Sequence, residues 1–351
     1  MKYTDMSRYE ILYDLPEGEY RPAEVGGIRT KTIRAGEFLE VECYPLTRVG
    51  SRAEAEARER HRQRACQEAL NRRNAEKRVR RLICANFTTE DYVLTLTWDY
   101  GAIDRNTMSY ADAENLWDSL GLPIDEDDAR RELKNYFRRV KNRMQRLGQA
   151  PKDFKHLYVL EPTHIPRHED REPLYPHYHF HCVMHAPGLS RDALEELWPQ
   201  GRAQCHRLSF GKDGEGPGGI ASYLTKQHST EAIDAEGRRL RRWGHSKNLI
   251  EPTVTVSDRR ISRARAARIA EDVRRDGRAI LEAVYEKYRC IEPPTVRYSD
   301  YVAGAYICAR LRKIADMPPL ERHGARLAAQ PRHHGSAYKS RGKPRAARSR
   351  S

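Results

Sequence analysis

Three histidines at alternate positions of one apolar stretch are the feature that most restricts how this chain can fold. They are His177, His179 and His181, with aromatic and apolar residues between and after them across residues 176–184. Alternate side chains of an extended strand point to the same face, so the imidazoles would form one row and the apolar residues would face a core. A row of imidazoles at this spacing can hold a metal ion.

A carboxylate and a tyrosine–lysine pair could act together with this row. Residues 156–161 predict a strand that ends in Glu161, and a proline-containing loop joins it to the histidine strand, so Glu161 lies near the row if the two strands pair. Tyr223 and Lys226 are spaced to share one face of a helix. Imidazoles with a carboxylate suit Mg²⁺ or Mn²⁺, and would also accept Zn²⁺ or Ni²⁺. A divalent ion can polarise a phosphate that a tyrosine attacks.

Further segments predict the remaining core. Residues 92–98 alternate with period two, so that Val93, Thr95 and Thr97 share one face of a central strand. Residues 263–289 predict another helix. Residues 129–147 predict an amphipathic helix with a basic outer face, and its apolar positions are Leu133, Phe137, Val140, Met144 and Leu147.

The charge of the chain indicates a polyanionic partner. Lys and Arg total 64 against 50 acidic residues, a formal net charge of +14, and nucleic acid is the usual partner of such a surface. A basic surface that only maintains solubility is the alternative. Residues 51–82 predict one long charged helix, either solvated or in contact with a DNA backbone.

Cysteine usage and hydropathy predict a soluble cytoplasmic protein. The seven cysteines are scattered and form no C-x-x-C pair, which fits a reducing compartment. No apolar run approaches the roughly 20 residues of a membrane span, and the first residues lack the apolar core of a signal peptide. No phosphate-binding G-x-x-x-x-G-K-[ST] motif is present, which argues against an ATPase of that class.

The order of these segments resembles a known family. A Leu-Thr-Leu-Thr strand (residues 94–97) precedes a His-hydrophobic-His strand and then a Tyr-x-x-Lys helix. This order resembles the HUH endonuclease domain of rolling-circle replication initiators, and more narrowly the replication-associated proteins of filamentous-phage-like elements and plasmids of bacteria. The resemblance spans about residues 70–255. Local signatures support the narrower resemblance: Asn86-Phe87, Leu194 to Trp198, Gly219 to Gln227, Arg242-Trp243 and Ser246-Lys247-Asn248-Leu249.

The resemblance implies a fold, a site and an activity. The fold is α+β, a single antiparallel sheet with helices on one face, related to the RNA-recognition-motif fold, here with helical extensions. His179 and His181 would hold Mg²⁺ or Mn²⁺ with Glu161 as a further ligand, and Tyr223 would be the nucleophile with Lys226 as its companion. The activity is site-specific nicking and joining of DNA through a 5′-phosphotyrosine. The partners are single-stranded or hairpin origin DNA, a host helicase and a host DNA polymerase.

Several alternatives stay open. His177-Tyr178-His179 also fits the His-hydrophobic-His pattern, although the spacing to a helix that begins at Ser190 favours the later pair. Relaxases and single-strand transposases share the domain, but a relaxase typically carries its tyrosine before the histidines and a small transposase is shorter. A non-catalytic DNA-binding regulator and a zinc hydrolase that uses the histidine row are the other possibilities.

The predicted domain organisation follows from these segments. Residues 1–50 carry no assigned role, although 31–34 and 38–44 have the composition of short strands. A basic helix at 51–85 precedes the endonuclease domain at 86–257. A helical region at 258–330 follows, and a basic tail at 331–351 without acidic residues is expected to be disordered.

Overall fold

The computed structural model describes residues 25–47, 64–100, 110–123, 125–163, 177–211, 217, 220–221, 243–299 and 302–314. Tyr223, Lys226 and the predicted tail at 331–351 lie outside these ranges. The described residues all belong to the first of two compact units, which ends at Asp316.

The described helices and strands alternate irregularly along the chain. The strands are β1 (Val25–Ala35), β2 (Phe38–Thr47), β3 (Tyr92–Trp98), β4 (Lys155–Thr163), β5 (His177–His185), β6 (Gly201–Arg207), β7 (Trp243–His245), β8 (Thr253–Ser257), β9 (Tyr288–Cys290), β10 (Thr295–Ser299) and β11 (Val302–Lys313). The helices are α1 (Arg64–Asn86), α2 (Tyr110–Ser119), α3 (Glu126–Arg146), α4 (Arg191–Glu196), α5 (Arg263–Glu271) and α6 (Asp276–Val284).

The three predicted strands meet in one antiparallel sheet, here called the histidine sheet, with the order β6-β3-β5-β4-β7. The histidine strand β5 is central and pairs with β3 on one side and β4 on the other. The apolar residues that alternate with the histidines are buried in an aromatic core with Leu94, Leu96 and Trp98 of β3. The predicted alternation of 92–98 is therefore confirmed, and so is the pairing of the two strands that flank the loop predicted at 162–175.

Helix α3 covers the apolar face of this sheet. Asp125 caps it, because its carboxylate accepts hydrogen bonds from the N–H groups of Asp127 and Asp128, both at 2.8 Å. The predicted core positions Leu133, Phe137, Val140 and Met144 are buried. The inclusion of Leu147 was wrong: the helix has ended by that position, and the side chain is 53% exposed. The predicted cap of Ser190 on α4 is confirmed, since its hydroxyl accepts from Ala193 N–H.

A second antiparallel sheet, here called the terminal sheet, was not predicted. Its strand order is β10-β11-β2-β1-β8, with β9 also paired to β11. It combines β1 and β2 from the start of the chain with strands that follow residue 252. The expectation of a single sheet with helices on one face therefore needs correction, because the described residues form two sheets and α1 packs on the face of the histidine sheet opposite to α3. The α+β class holds. The short strands expected in 31–34 and 38–44 are present as parts of β1 and β2.

The region 258–330 is not simply helical. Its described residues contain two helices and three strands, and the strands complete the terminal sheet. The single helix predicted for 263–289 is divided, because Asp272 accepts hydrogen bonds from Arg274 N–H and Arg275 N–H and closes a turn between α5 and α6. Both helices pack on the terminal sheet through a core that includes Ile269 and Leu281.

Helix α1 lies between the two sheets and contacts each of them with a different face. Val79, Leu82 and Ile83 are fully buried against Leu157, Val159 and Val183 of the histidine sheet. The opposite face, one half-turn around, presents Lys77, Arg80 and Arg81 to the carboxylates of β2.

These contacts correct the interpretation of a solvated or DNA-contacting helix for the part of α1 whose side chains are described, residues 73–86. Residues 51–63 of the predicted helix lie outside the described residues, so their role stays a prediction. Arg81 donates to Glu40 and Glu42, and Lys31 and Lys77 also pair with Glu42 at 3.0 and 3.4 Å. Although burial alone would raise the pKa of Glu42, these cations hold it well below its ordinary range. The described cations on this face are therefore neutralised inside the protein, where a phosphate backbone cannot reach them.

None of the described helices combines the length and apolar content that a membrane crossing requires. The six cysteines whose side chains are described are free thiols.

Candidate metal and phosphate site

His179 and His181 lie side by side on the polar face of the central strand. The register pairs His179 with Thr97 of β3 and Glu161 of β4, and His181 with Thr95 and Val159. Residues that face each other across an antiparallel pair share one side of the sheet. The sheet therefore brings Thr95, Thr97, His179, His181 and Glu161 together, although more than 50 positions separate β3 from β4 in the sequence.

Each of these two imidazoles is oriented by a threonine of β3. The Nδ1 atom of His179 lies 2.9 Å from Thr97 Oγ1, and that of His181 lies 3.2 Å from Thr95 Oγ1. Hydrogen bonds at Nδ1 direct Nε2 to the opposite side and fix the ring orientation, which is how proteins commonly orient metal-binding histidines. A hydroxyl can donate or accept, so it supports the ring in either neutral tautomer.

Glu161 closes the polar row on its β4 side. Its Oε2 atom lies 2.8 Å from His181 Nε2, and both side chains are largely shielded from solvent, with 16% and 7% exposed. Burial lowers the pKa of His179, with the Glu161 carboxylate opposing this change and His181 adding to it. The lowered pKa keeps His179 neutral at physiological pH, which is the form that can bind a metal ion.

His177 does not continue the row. Its ring stacks on Tyr100 with 3.7 Å between ring centroids and 7° between planes, and Trp117 is its next aromatic neighbour at 6.1 Å. The Tyr100 hydroxyl accepts a hydrogen bond from Tyr178 N–H and fixes this stack to the end of β5. His177 is therefore packed among aromatic rings, whereas His179 and His181 face polar partners.

One donor pair of the row has the spacing of two ligands of a shared divalent ion. Two cis ligands of an octahedral ion with bonds of about 2.1 Å lie about 3 Å apart, close to the 2.8 Å between Glu161 Oε2 and His181 Nε2. The described residues contain no cluster of three or more His, Cys, Asp or Glu side chains in metal-binding geometry. The geometry is instead that of a hydrogen-bonded pair, His181 with Glu161, and a neighbouring imidazole.

An apolar cover lies beside the polar row on the same face. Val93, Val183 and Val159 belong to the cluster that includes α1, and Ala221 is buried in the same cluster. Ala221 precedes Tyr223 by two positions in the sequence. Tyr223 and Lys226 themselves lie outside the described residues, so their assignments stay predictions.

Thr95 and Thr97 had no individual role in the prediction from sequence. Their signal was available, because threonines alternate with buried leucines in a strand that precedes the histidines. The exposed face of β6 was not predicted, because its position beside the histidine row depends on the strand order.

Comparison of the chain with protein-family models, with curated proteins and with solved structures found no match.

Proposed function

We propose that this chain is a metal-dependent nicking and joining enzyme for single-stranded DNA, of the type that initiates rolling-circle replication. The observation that carries the proposal is the pair His179 and His181, each oriented through Nδ1 by a threonine and joined by Glu161 on one sheet face. A histidine sheet of this arrangement, with α3 on its apolar face, is consistent with the RNA-recognition-motif-like fold of HUH endonucleases.

The reaction is a transesterification at a DNA phosphate. The Tyr223 phenolic oxygen forms a bond to phosphorus while the bond from phosphorus to the 3′ oxygen breaks. The tyrosine proton is lost and the departing 3′ oxygen gains one, which leaves a 3′ hydroxyl and a 5′-phosphotyrosine. The reverse reaction joins ends, and because the phosphotyrosine conserves the bond energy, no nucleotide triphosphate is consumed.

The residues have three roles: binding the metal ion, orienting its ligands and reacting with the phosphate. His179, His181 and Glu161 would hold Mg²⁺ or Mn²⁺, and the threonines of β3 keep the imidazoles in position. When bound, the ion supplies Lewis-acid polarisation of the scissile phosphate. Lys226 would lower the cost of ionising Tyr223, whose ordinary pKa is near 10, or neutralise the phosphate.

The partners follow from the chemistry and the charge. The substrate would be origin DNA that is single-stranded or extruded as a hairpin, in the cytoplasm of a bacterial host. The free 3′ hydroxyl would prime a host DNA polymerase, and a host helicase would unwind the duplex. The net charge of +14 favours association with DNA through its phosphates.

The test is the formation of a covalent adduct. The full chain is incubated with Mn²⁺ and end-labelled single-stranded DNA, then denatured and separated by electrophoresis. The wild-type protein is expected to retain label, and Tyr223→Phe is expected to lose it while binding DNA with similar affinity, because only the attacking oxygen is removed.

Identical behaviour of wild type and Tyr223→Phe would show that the nucleophile is assigned wrongly. Hydrolysis products without any adduct, supported by Zn²⁺, would favour the zinc hydrolase alternative. DNA binding without cleavage under all metals would favour a non-catalytic regulator.

A further inference from the structure

The edge strand β6 extends the polar face of the histidine sheet away from the metal site. Its register pairs Arg202 with Thr97 and Gln204 with Thr95, the same threonines that pair with His179 and His181. Arg202 and Gln204 therefore share the histidine face. The next outward residue of the strand, His206, follows them on this face, and all three side chains are exposed.

The opposite face of β6 shows that this exposure is specific to one side. Cys205 is buried in the aromatic core at 1% exposure, and Ala203 packs against the same core. The period-two alternation of the strand therefore anchors one face and leaves the other open. Nothing in the core requires a charged or amide side chain at positions 202 and 204.

Charge changes sign across this row. Glu161 stands at the β4 end beside His179, and Arg202 stands at the β6 end in the same register. A DNA strand whose phosphate lies at the histidines is repelled by a carboxylate on the β4 side unless an ion intervenes, whereas a guanidinium attracts it on the β6 side. The structure gives Arg202 no acidic partner in the part of the chain that it describes.

The separation matches a nearby phosphate of the same strand. Two strand spacings of about 4.8 Å place the backbone of β6 about 10 Å from that of β5. The axial rise in a stacked duplex is about 3.4 Å per nucleotide, so this distance spans at most about three nucleotides and fewer in an extended single strand. Arginine is suited to the task because its guanidinium is always charged and binds phosphate through two N–H groups.

We propose that Arg202, with Gln204 beside it, forms a phosphate subsite that positions the single strand a few nucleotides from the scissile bond. This inference rests on the proposed function, and it adds the direction of the bound strand: from the histidines across β3 to β6. Arg202 is a positioning residue, since it contacts a phosphate other than the one that reacts.

The experiment measures binding of a fluorescein-labelled oligothymidylate to the full chain by anisotropy, in EDTA, between about 50 and 200 mM salt. Arg202→Gln is expected to weaken binding about tenfold and to reduce the slope of log affinity against log salt by about 0.7, the value for one lost phosphate contact on a single strand. Arg202→Lys keeps the charge and is expected to keep the slope.

Arg207→Gln is the matched control on the same strand. Arg207 lies on the opposite face, where its guanidinium packs 4.4 Å from the centre of the Tyr92 ring. The Arg207→Gln variant is expected to leave both the affinity for the oligonucleotide and the salt dependence of that affinity unchanged. A similar loss in both Gln variants, or no loss in Arg202→Gln, would overturn the subsite, as would a wild-type protein that does not bind the oligonucleotide.

The outcome is separable from that of the adduct test. Loss of binding in Arg202→Gln without any adduct in the wild type would retain the subsite and reject the nicking activity. If the wild type forms the adduct and Arg202→Gln binds the oligonucleotide as tightly as the wild type, the nicking activity is retained and the subsite is rejected.

Discussion

At the scale of single residues, the environment of each histidine separates its role from those of its neighbours. His179 and His181 are held by threonine hydroxyls on β3, and His177 is held by the ring of Tyr100. The pair predicted from sequence spacing is thus the pair with polar partners. Metal binding itself stays a prediction.

The three histidines are expected to respond differently to alanine substitution. His179→Ala and His181→Ala should lower metal-dependent adduct formation by about two orders of magnitude or more, because each removes a ligand. His177→Ala should lower the free energy of unfolding by about 1 kcal/mol through the lost stacking and leave adduct formation near the wild-type level. Electrophoretic adduct yield and urea unfolding measure the two effects. An equal loss of adduct in His177→Ala would move the ligand pair one step earlier in the strand.

His156 is a buried histidine whose titration opposes folding in acid. Burial, with smaller contributions from Lys141 and His245, lowers its pKa to about 3, and its ring stacks 3.9 Å from Phe137. Between its ordinary pKa of 6.5 and about 3, the unfolded chain binds a proton that the folded chain excludes. Stability contributed by the neutral ring is therefore complete above 6.5 and is lost as the pH falls.

His156→Phe is expected to remove this dependence. The wild type should lose about 3 kcal/mol from this group between pH 7 and pH 4, at about 1.4 kcal/mol per pH unit, and the variant should lose correspondingly less. Urea unfolding at the two pH values measures the difference. Parallel losses in both proteins would show that His156 is protonated in the folded state.

At the scale of elements, α1 decides how the two sheets are joined. One face is apolar and fits the histidine sheet, and the other is cationic and fits the buried carboxylates of β2. Neither fit was predictable from α1 alone, because its basic face has the composition of a solvated helix. The carboxylates that neutralise it lie more than 30 positions away in sequence.

Removing one carboxylate from this group should be costly. Glu42→Gln leaves Lys31, Lys77 and Arg81 buried without full neutralisation, so the free energy of unfolding at pH 7 should fall by about 3–5 kcal/mol. Glu251→Gln is the control for an exposed ion pair of the same helix: it breaks the pair of Glu251 with Arg78 of α1 and should cost about 0–1 kcal/mol. Chemical denaturation at neutral pH measures both.

The difference in stability between the wild type and Glu42→Gln is expected to depend on pH. The folded-state pKa of Glu42 lies below its ordinary value of 4.5, so its stabilisation is present above that pH and is lost in acid. The difference in unfolding free energy between wild type and Glu42→Gln should narrow by about 1.4 kcal/mol per pH unit below 4.5. A gap that is constant with pH would mean that the charge of Glu42 does not contribute.

At the scale of the whole molecule, the strands of the terminal sheet flank, in sequence, the segment that forms the site. Its strands β1 and β2 come before the histidine sheet in sequence, and β8 to β11 come after it. The histidine sheet is thus inserted between the two halves of another sheet, with α1 packed between them. This arrangement makes the early hairpin depend on strands that follow it by more than 200 residues.

Truncation after residue 257 tests this dependence. The shortened chain lacks β11, which pairs with β2, and loses Ile307 and Leu311 from the core of the terminal sheet. Amide hydrogen exchange in residues 25–47 should then approach the rate of an unfolded chain, while β3 and β5 keep most of their protection. Unchanged protection in 25–47 would show that the hairpin is stable without its later partners.

The sequence by itself determined the elements whose physical signal is local. Period-two alternation gave β3, β5 and the face on which each histidine lies, and helical periodicity gave α3. The pairing of β4 with β5 followed from the hairpin-type loop predicted between them, and with it the approach of Glu161 to the histidines.

Only the tertiary structure decided which distant segments meet. The terminal sheet was missed because β1 and β2 pair with β8 and β11 across more than 200 positions. The two early strands also carry buried Lys31, Glu40 and Glu42, so no apolar alternation marks them. The separation of His177 from the row needed Tyr100, and the alignment of Arg202 with Thr97 needed the strand order. Local patterns encode which face a residue takes, whereas partners across a sheet depend on long-range burial and charge pairing that no short stretch contains.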